Sequence, residues 1–285
     1  MRPLAFRVPF GESTFLPLGC IHWPIGEKEL LRQWVEAVQT AKNGFGLLMG
    51  DAFDNARTTF GKHVRSYLGD ENSREALDDM VRKEVRDLSK VLMPIRSKLI
   101  GAIQGNHFWP FIDGTTSDQY LCQLLKIPYL GPLAAIRLDF VDRRGKVLLH
   151  RTLVAHHHGG SAGGRTTSGD VAALARFEHG WDADIYVVSH THRRIAWKEE
   201  LMGLSVKGEP HIRQRTKVFV RSGALLKGFK EDSPNAHQMY IPSYAEKAAY
   251  RATNLGWVEV KIKLSHAGGN SGDVNEFRED IRVSY

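Results

Sequence analysis

The chain reads as a layered α/β protein, and three observations lead there. Short apolar runs alternate with helical patterns through the first half, and a β-rich stretch follows. There is no internal repeat and no low-complexity segment. Nor does a Pro/Gly/Ser-rich linker divide the chain, so residues 1–285 are expected to form one domain, with a helical insertion at about 55–97.

The first run is Phe15-Leu16-Pro17-Leu18, a short strand. A helix is predicted from Glu27 to Ala41, because Leu30, Leu31, Trp34, Val35 and Val38 recur on one face. Phe45 to Met49 reads as a buried strand. A charge-rich helix from about Arg74 to Leu92 is halted or bent by Pro94. Its D-D-M-V-R-K-E-V-R-D text reads as a solvated face, with a cap over a site or a dimer contact as alternatives. Leu99 to Ile103 is another short strand, and Leu121 to Leu125 looks helical. Ile136 to Phe140 and Val147 to Ala155 suggest a hairpin around Arg143-Arg144-Gly145. A helix near Val171 to His179 precedes a strand at Ile185 to Val188, and Lys217 to Arg221 and Trp257 to Leu264 are late strands.

Composition narrows the function classes. No apolar run approaches the roughly 20 residues a membrane span needs. The N-terminal text MRPLAFRVPFGESTF lacks the apolar centre of a secretory signal, so a cytoplasmic location is expected. With only Cys20 and Cys122, no disulfide framework is implied. The formal net charge of +7 favours polyanionic partners, though Lys and Arg are scattered.

The chemistry gathers at strand ends. Leu16-Pro17-Leu18-Gly19 runs into Cys20-Ile21-His22; Leu47-Leu48-Met49 runs into Gly50-Asp51, with Asp54 close behind. Ile100 to Gln104 runs into Gly105-Asn106-His107, and Leu153-Val154-Ala155 into His156-His157-His158. Tyr186-Val187-Val188-Ser189 runs into His190-Thr191-His192. Five apolar strands thus each deliver metal-binding side chains at once. Sites in α/β sheets form just outside strand ends, so these loops can converge on one crevice. Imidazole, carboxylate and amide oxygen together suit first-row divalent ions. A closed structural zinc site would need close-set ligand pairs, not donors dispersed from Cys20 to His192.

The ordered set C-I-H, G-D, G-N-H-F, H-H-H, S-H-T-H resembles the calcineurin-like metallophosphoesterase superfamily, whose pattern is D-x-H, G-D, G-N-H-[DE], H, G-H-x-H. It covers about the first two-thirds of the chain. Singly these motifs are weak; their order carries the resemblance. Flanking text is similar to a phage and prokaryotic subgroup: the polar insertion, Gly163 to Thr166, and Pro242 to Lys247. Host cytoplasm and processing of nucleic acid or nucleotides would then be the setting.

The resemblance implies a four-layer α/β/β/α sandwich of two mixed sheets and two divalent metal ions (Mn, Zn, Fe or Ni). Carried over by position, Cys20, His22, Asp51 and His192 surround one ion, and Asp51, Asn106, His156 and His190 the other, with Asp51 bridging. His156 is chosen as the first residue past its strand, and His157 is the alternative. Ions roughly 3.5–4 Å apart would make a bridging hydroxide available to attack phosphorus. His107, beside Asn106, would protonate the leaving oxygen, so His107, Asp51 and Asn106 form the implied catalytic set.

Two positions depart from the family pattern. Cys20 stands where aspartate is usual; its thiolate favours softer ions, with a zinc bond of about 2.3 Å, and the bland alternative is a buried thiol. Phe108 stands where an acid orients the histidine, and Asp54 or Asp113 are the nearby substitutes. Trp23, Phe108, Trp109 and Phe111 are candidates for base stacking or for loop packing. Arg57, Arg165, Arg193 and Arg194 are candidates for phosphate contact or for plain surface. His63, His150, His179, His211 and His237 read as ordinary histidines, and Gly159 to Gly164 as a mobile substrate-facing loop.

The expected activity is metal-dependent phosphodiester hydrolysis on a nucleic acid or nucleotide substrate. Basic charge and the G-D-x-F-D text at Gly50 to Asp54, loosely similar to the nuclease subunit of double-strand-break repair complexes, lean toward a diester. The alternatives are a phosphomonoesterase and an inactive scaffold of the same fold.

Overall fold

The computed structural model describes residues 3–54, 71–158, 166–204, 209–228, 252–266 and 277–285. The first part of the predicted insertion lies outside these residues. So do Arg57, His63, Arg165 and His237, the Gly159 to Gly164 loop and the Pro242 to Lys247 text.

Twelve strands are described. They are β1 (Leu4–Pro9), β2 (Glu12–Leu18), β3 (Gly44–Leu48), β4 (Leu99–Ile103), β5 (Tyr129–Gly131), β6 (Leu133–Val141), β7 (Val147–His156), β8 (Ile185–Val188), β9 (Arg194–Leu204), β10 (Ile212–Ser222), β11 (Glu259–His266) and β12 (Phe277–Ser284). The helices are α1 (Lys28–Thr40), α2 (Glu71–Leu92), α3 (Ser117–Leu125) and α4 (Thr167–Phe177). The strands form two six-stranded mixed sheets, ordered β1-β6-β7-β8-β10-β9 and β12-β11-β2-β3-β4-β5. In the second, β2, β3, β4 and β5 run parallel; in the first, β7, β8 and β10 do.

Period-two alternation sorts each central strand between two apolar layers. Phe15, Phe45, Leu47 and Met49 from one sheet meet Leu153, Ala155, Ile185, Val187, Val218 and Val220 from the other. The intervening residues point outward. Leu16, Leu18 and Leu48 pack on Trp34 and Val38 of α1, Val85 and Leu88 of α2, and Leu121 and Leu125 of α3. On the opposite side Val154, Tyr186, Val188 and Phe219 pack on Leu174 of α4. The result is the α/β/β/α sandwich of two mixed sheets expected from the sequence.

Local chemistry sets the element ends. Thr116 and Gln119 form a reciprocal capping box that starts α3 at Ser117, earlier than the apolar run alone indicates. Pro94 ends α2 by turning the chain into a 3-10 segment, Met93–Lys98. Pro17 lies past the last β11 partner of β2, Phe15, where one neighbouring strand remains. β1, β9 and β12 have no counterpart in the sequence reading, and each ends its sheet or borders its solvated edge. Met202, Leu204 and Ile212 are exposed on the β9–β10 ribbon, so its pattern is not that of a core strand. No described helix is long and apolar enough to cross a membrane.

Leu153 is fully buried between the sheets. Leu153→Ala should cost about 2–5 kcal/mol in chemical denaturation, whereas Leu201→Ala on the β9 edge should change stability by less than about 0.5 kcal/mol. Equal effects would contradict an inter-sheet core.

Candidate metal centre

The five predicted loops do converge. The Cys20 N–H donates to the Gly50 carbonyl (2.9 Å), His22 N–H to Asp51 (3.0 Å), and Ser189 N–H to His157 (3.0 Å), joining neighbouring strand-end loops within each sheet. Cys20, His22, Asp51, His190 and His192 all have φ between +49° and +69°. Left-handed backbone at non-glycine residues costs on the order of 1–3 kcal/mol each and persists only where surroundings enforce it. Close approach also requires glycine. A Cβ on Gly105 would run into the backbone nitrogen and Oδ1 of Asp51, and one on Gly50 would stand 2.6 Å from His157 Nδ1.

Asp51 lies at the junction and is 1% exposed. Its Oδ1 accepts the N–H groups of Asn106 (2.7 Å) and His107 (3.0 Å), and its Oδ2 lies 3.0 Å from His157 Nε2. Burial opposes its charge. The hydrogen bond and charge of His157, with the charges of His107 and His22, outweigh that and hold the carboxyl well below the usual range.

His157, not His156, reaches this cluster. His156 is the last residue of β7 and continues its alternation, so it faces α4, where its ring meets Phe177 at 6.0 Å between centroids. The expectation for His156 took the strand to end at Ala155. One residue later the chain turns back, and His157 Nδ1 donates to the Met49 carbonyl at 2.7 Å. That bond places a proton on Nδ1 and turns Nε2 toward the cluster. Nε2 lies 3.0 Å from both Asn106 Oδ1 and Asp51 Oδ2.

Two donor groups result. In the first, Cys20, His22 and His192 place their ligand atoms within 4.8 Å of one another, with His22 Nε2 3.2 Å from His192 Nε2. His22 Nδ1 faces Asp54 Oδ1 at 3.2 Å, which leaves Nε2 directed at His192. The second contains His157, His158 and His190, beside Asp51 and Asn106. Cys20, Asp51 and His157 form a further close set that links the two.

Burial first, then the charges of neighbouring histidines, push His190 down to about 4 and His192 down to about 3. His190 Nδ1 is buried without a hydrogen-bond partner among the described residues. Imidazole nitrogens that close on one another, with an orphaned imidazole nitrogen among the described residues beside them, fit bound cations. Cys20 is fully buried with Sγ 3.3 Å from Ser189 Oγ; burial and the Asp51 charge push its thiol up. A thiolate there requires a cation. Both cysteines are free, and Cys122 Sγ faces the Pro128 carbonyl instead.

His107 Nδ1 lies 3.1 Å from Asp54 Oδ1. Asp54 thus occupies the orienting position left open by Phe108. Burial opposes its charge, but hydrogen bonds to His107 and His22 hold its carboxyl well below the usual range. Asp113 is engaged elsewhere, with Arg82 at 2.6 Å and the Thr115 hydroxyl. Trp109 and Phe111 belong to the core, and Trp109 Nε1 donates to Asp78 at 2.8 Å, so packing is their role. His150 pairs with Asp139 at 2.7 Å, away from the centre.

The sequence reading missed two residues. His158 has its ring 4.0 Å from that of His190, centroid to centroid. Only its place in the H-H-H run hinted at it. Asp118 is buried behind the Asn106 loop, and its Oδ2 accepts the Gly105 N–H at 3.2 Å. Burial pushes it up to about 7, against that hydrogen bond and with the help of Asp51. In the sequence it resembles any acidic residue in a first helical turn.

The layering is the sandwich that the resemblance to calcineurin-like metallophosphoesterases implies, and the candidate metal-ligand groups lie at its strand ends. No protein-family model matches the chain, and no curated protein matches it. Solved structures similar to it include an uncharacterised Streptococcus pneumoniae protein described as a predicted phosphoesterase, at 10% identity over 96% of this chain and 99% of that one, TM-score 0.37. Vps29 from Chaetomium thermophilum is another, at 10% identity over 97% and 96%, TM-score 0.36. Wild-type Vps29 complexed with zinc from Entamoeba histolytica is similar at 10% over 95% and 98%, TM-score 0.36.

If the second group is as described, His157→Ala should lower bound metal by about one ion per chain, and His156→Ala should leave it unchanged. Metal content by mass spectrometry on chelator-free protein decides this. The reverse pattern would restore His156.

Proposed function

We propose that this protein is a metal-dependent phosphoesterase that hydrolyses a phosphodiester of nucleic acid or nucleotide type. One observation carries the reading: two donor groups meet at a single buried carboxylate, Asp51, which can serve both with its two oxygens. Cys20, His22, Asp51 and His192 would hold one ion. Asp51, Asn106, His157 and His190 would hold the other, with His158 alongside. When bound, such ions would supply Lewis acidity that makes a water acidic and offsets charge on a phosphoryl group.

The chain's own residues provide the rest. Asp51 is held in place by the backbone N–H groups of Asn106 and His107, which donate to its Oδ1. His107 Nδ1 lies 3.1 Å from the Asp54 carboxylate, which orients the ring. Its Nε2 proton is then available to the leaving oxygen, and the neutral ring is the product of that transfer. Cys20 as thiolate would bias its group toward zinc or iron over magnesium.

The net charge of +7 and the Gly50 to Asp54 text support a diester substrate. The test pairs metal analysis with hydrolysis of bis-p-nitrophenyl and p-nitrophenyl phosphate. Wild type should carry about two ions per chain and prefer the diester. Asp51→Asn should lose activity by about a hundredfold or more. Cys20→Ala should lose about one ion. Preference for the monoester would favour a phosphatase. An absence of metal, with no hydrolysis after adding Mn, Zn, Ni or Fe, would leave the scaffold alternative.

A further inference from the structure

Arg194 opens β9 two residues after His192, and its side chain lies over two glycines. A Cβ on Gly223 would stand 2.7 Å from its Cγ, and one on Gly256 would stand 3.2 Å from its Nη1. Both glycines have positive φ, +82° and +119°. The two segments are joined by the Ala224–Gly256 bridge, and the Gly223 N–H donates to the Arg193 carbonyl at 3.1 Å. The arginine stem therefore rests in a slot made of backbone, which fixes its direction.

Among the described residues, the Nε of this guanidinium has no acceptor. That nitrogen is buried, and no carboxylate pairs with it among the described residues. Arg193 differs: its Nη1 lies 2.6 Å from Oδ2 of the buried Asp170, so its charge is balanced within the fold. A buried, oriented and unpaired donor calls for an explanation, and a ligand acceptor is one. Beside Arg194 opens a cleft of about 540 Å³, lined by Arg193, Ile195, Thr253, Asn254 and Tyr285 among others. Thr253 and Asn254 add a hydroxyl and an amide, and no acidic side chain lines the cleft among the described residues. Such a lining selects an anion. Two residues of chain span at most about 7 Å, so the Arg194 Cα lies within that distance of the His192 Cα.

We infer that Arg194, with Thr253 and Asn254, forms a subsite for a second phosphate of the substrate, adjacent to the phosphate placed at the metal donors. This rests on the phosphoesterase reading and narrows it. The substrate class becomes a nucleotide or oligonucleotide with a phosphate neighbouring the scissile one. Arg193 supplies the wall rather than the charge.

The test compares two esters: bis-p-nitrophenyl phosphate, with one phosphate, and thymidine 3′-phosphate 5′-(p-nitrophenyl phosphate), with two. Arg194→Gln should lower kcat/KM for the second by about ten- to a hundredfold, mainly through KM, and leave the first within about twofold. Arg194→Lys, which keeps the charge and loses the fork, should fall between. Equal change on both esters, or none on either, would overturn the subsite. Calorimetric titration with thymidine 3′,5′-bisphosphate gives a readout independent of turnover. Weaker binding to Arg194→Gln supports the subsite, and binding equal to wild type, or no binding to wild type, overturns it. If neither ester is hydrolysed, the phosphoesterase reading fails and this titration alone decides the subsite.

Discussion

A carboxylate buried at the meeting point of two sheets needs polar partners, and Asp51 has them on both sides. Two backbone N–H groups come from the loop after β4, and His157 comes from the end of β7. Removing a charge from water without such partners costs several kcal/mol, so the position of Asp51 constrains everything around it. Gly50 and Gly105 are small because a Cβ at either would separate these groups. Left-handed backbone at five donor-bearing residues is the accompanying conformational cost, maintained by hydrogen bonds between loops of different strands. The apolar layer between the sheets is what supports that arrangement, since it sets which strand ends lie opposite each other.

The departures from the family pattern acquire a physical account in three dimensions. Asp54, two residues past the end of the G-D-x segment, is within reach of both His22 and His107. The acid missing after G-N-H is thereby supplied from β3's loop. Cys20 is harder to satisfy without a cation, because burial and Asp51 both favour its neutral thiol. Among the described residues, its Sγ meets the Ser189 hydroxyl at 3.3 Å. A soft cation would reverse that balance.

The loop that carries His190 and His192 is held from behind as well. Arg221, fully buried at the end of β10, donates to the Thr191 hydroxyl at 3.1 Å and to the Asp170 carbonyl at 3.0 Å. Asp170 in turn sits between Arg221 and Arg193. This buried ion cluster joins α4, β10 and the histidine loop. Breaking one member would leave an uncompensated charge, so the cluster fixes geometry more than it adds stability.

The sequence alone determined the strand–loop grammar. Apolar runs ending in Cys20, Asp51, Asn106 and His190 identified β2, β3, β4 and β8 and the residues that would meet, because burial on both faces leaves a continuous apolar signature. It also marked Cys20 and Phe108 as departures. It did not supply β1, β9 or β12, whose sheet-end positions permit polar, solvated sequences. Only the tertiary structure decided between His156 and His157, since one residue of strand length flips a side chain to the other face. It alone assigned Asp54 over Asp113 to His107, and it alone revealed His158, Asp118 and the slot beneath Arg194. Those depend on approach between segments distant in the chain, a property that spacing along one segment does not encode.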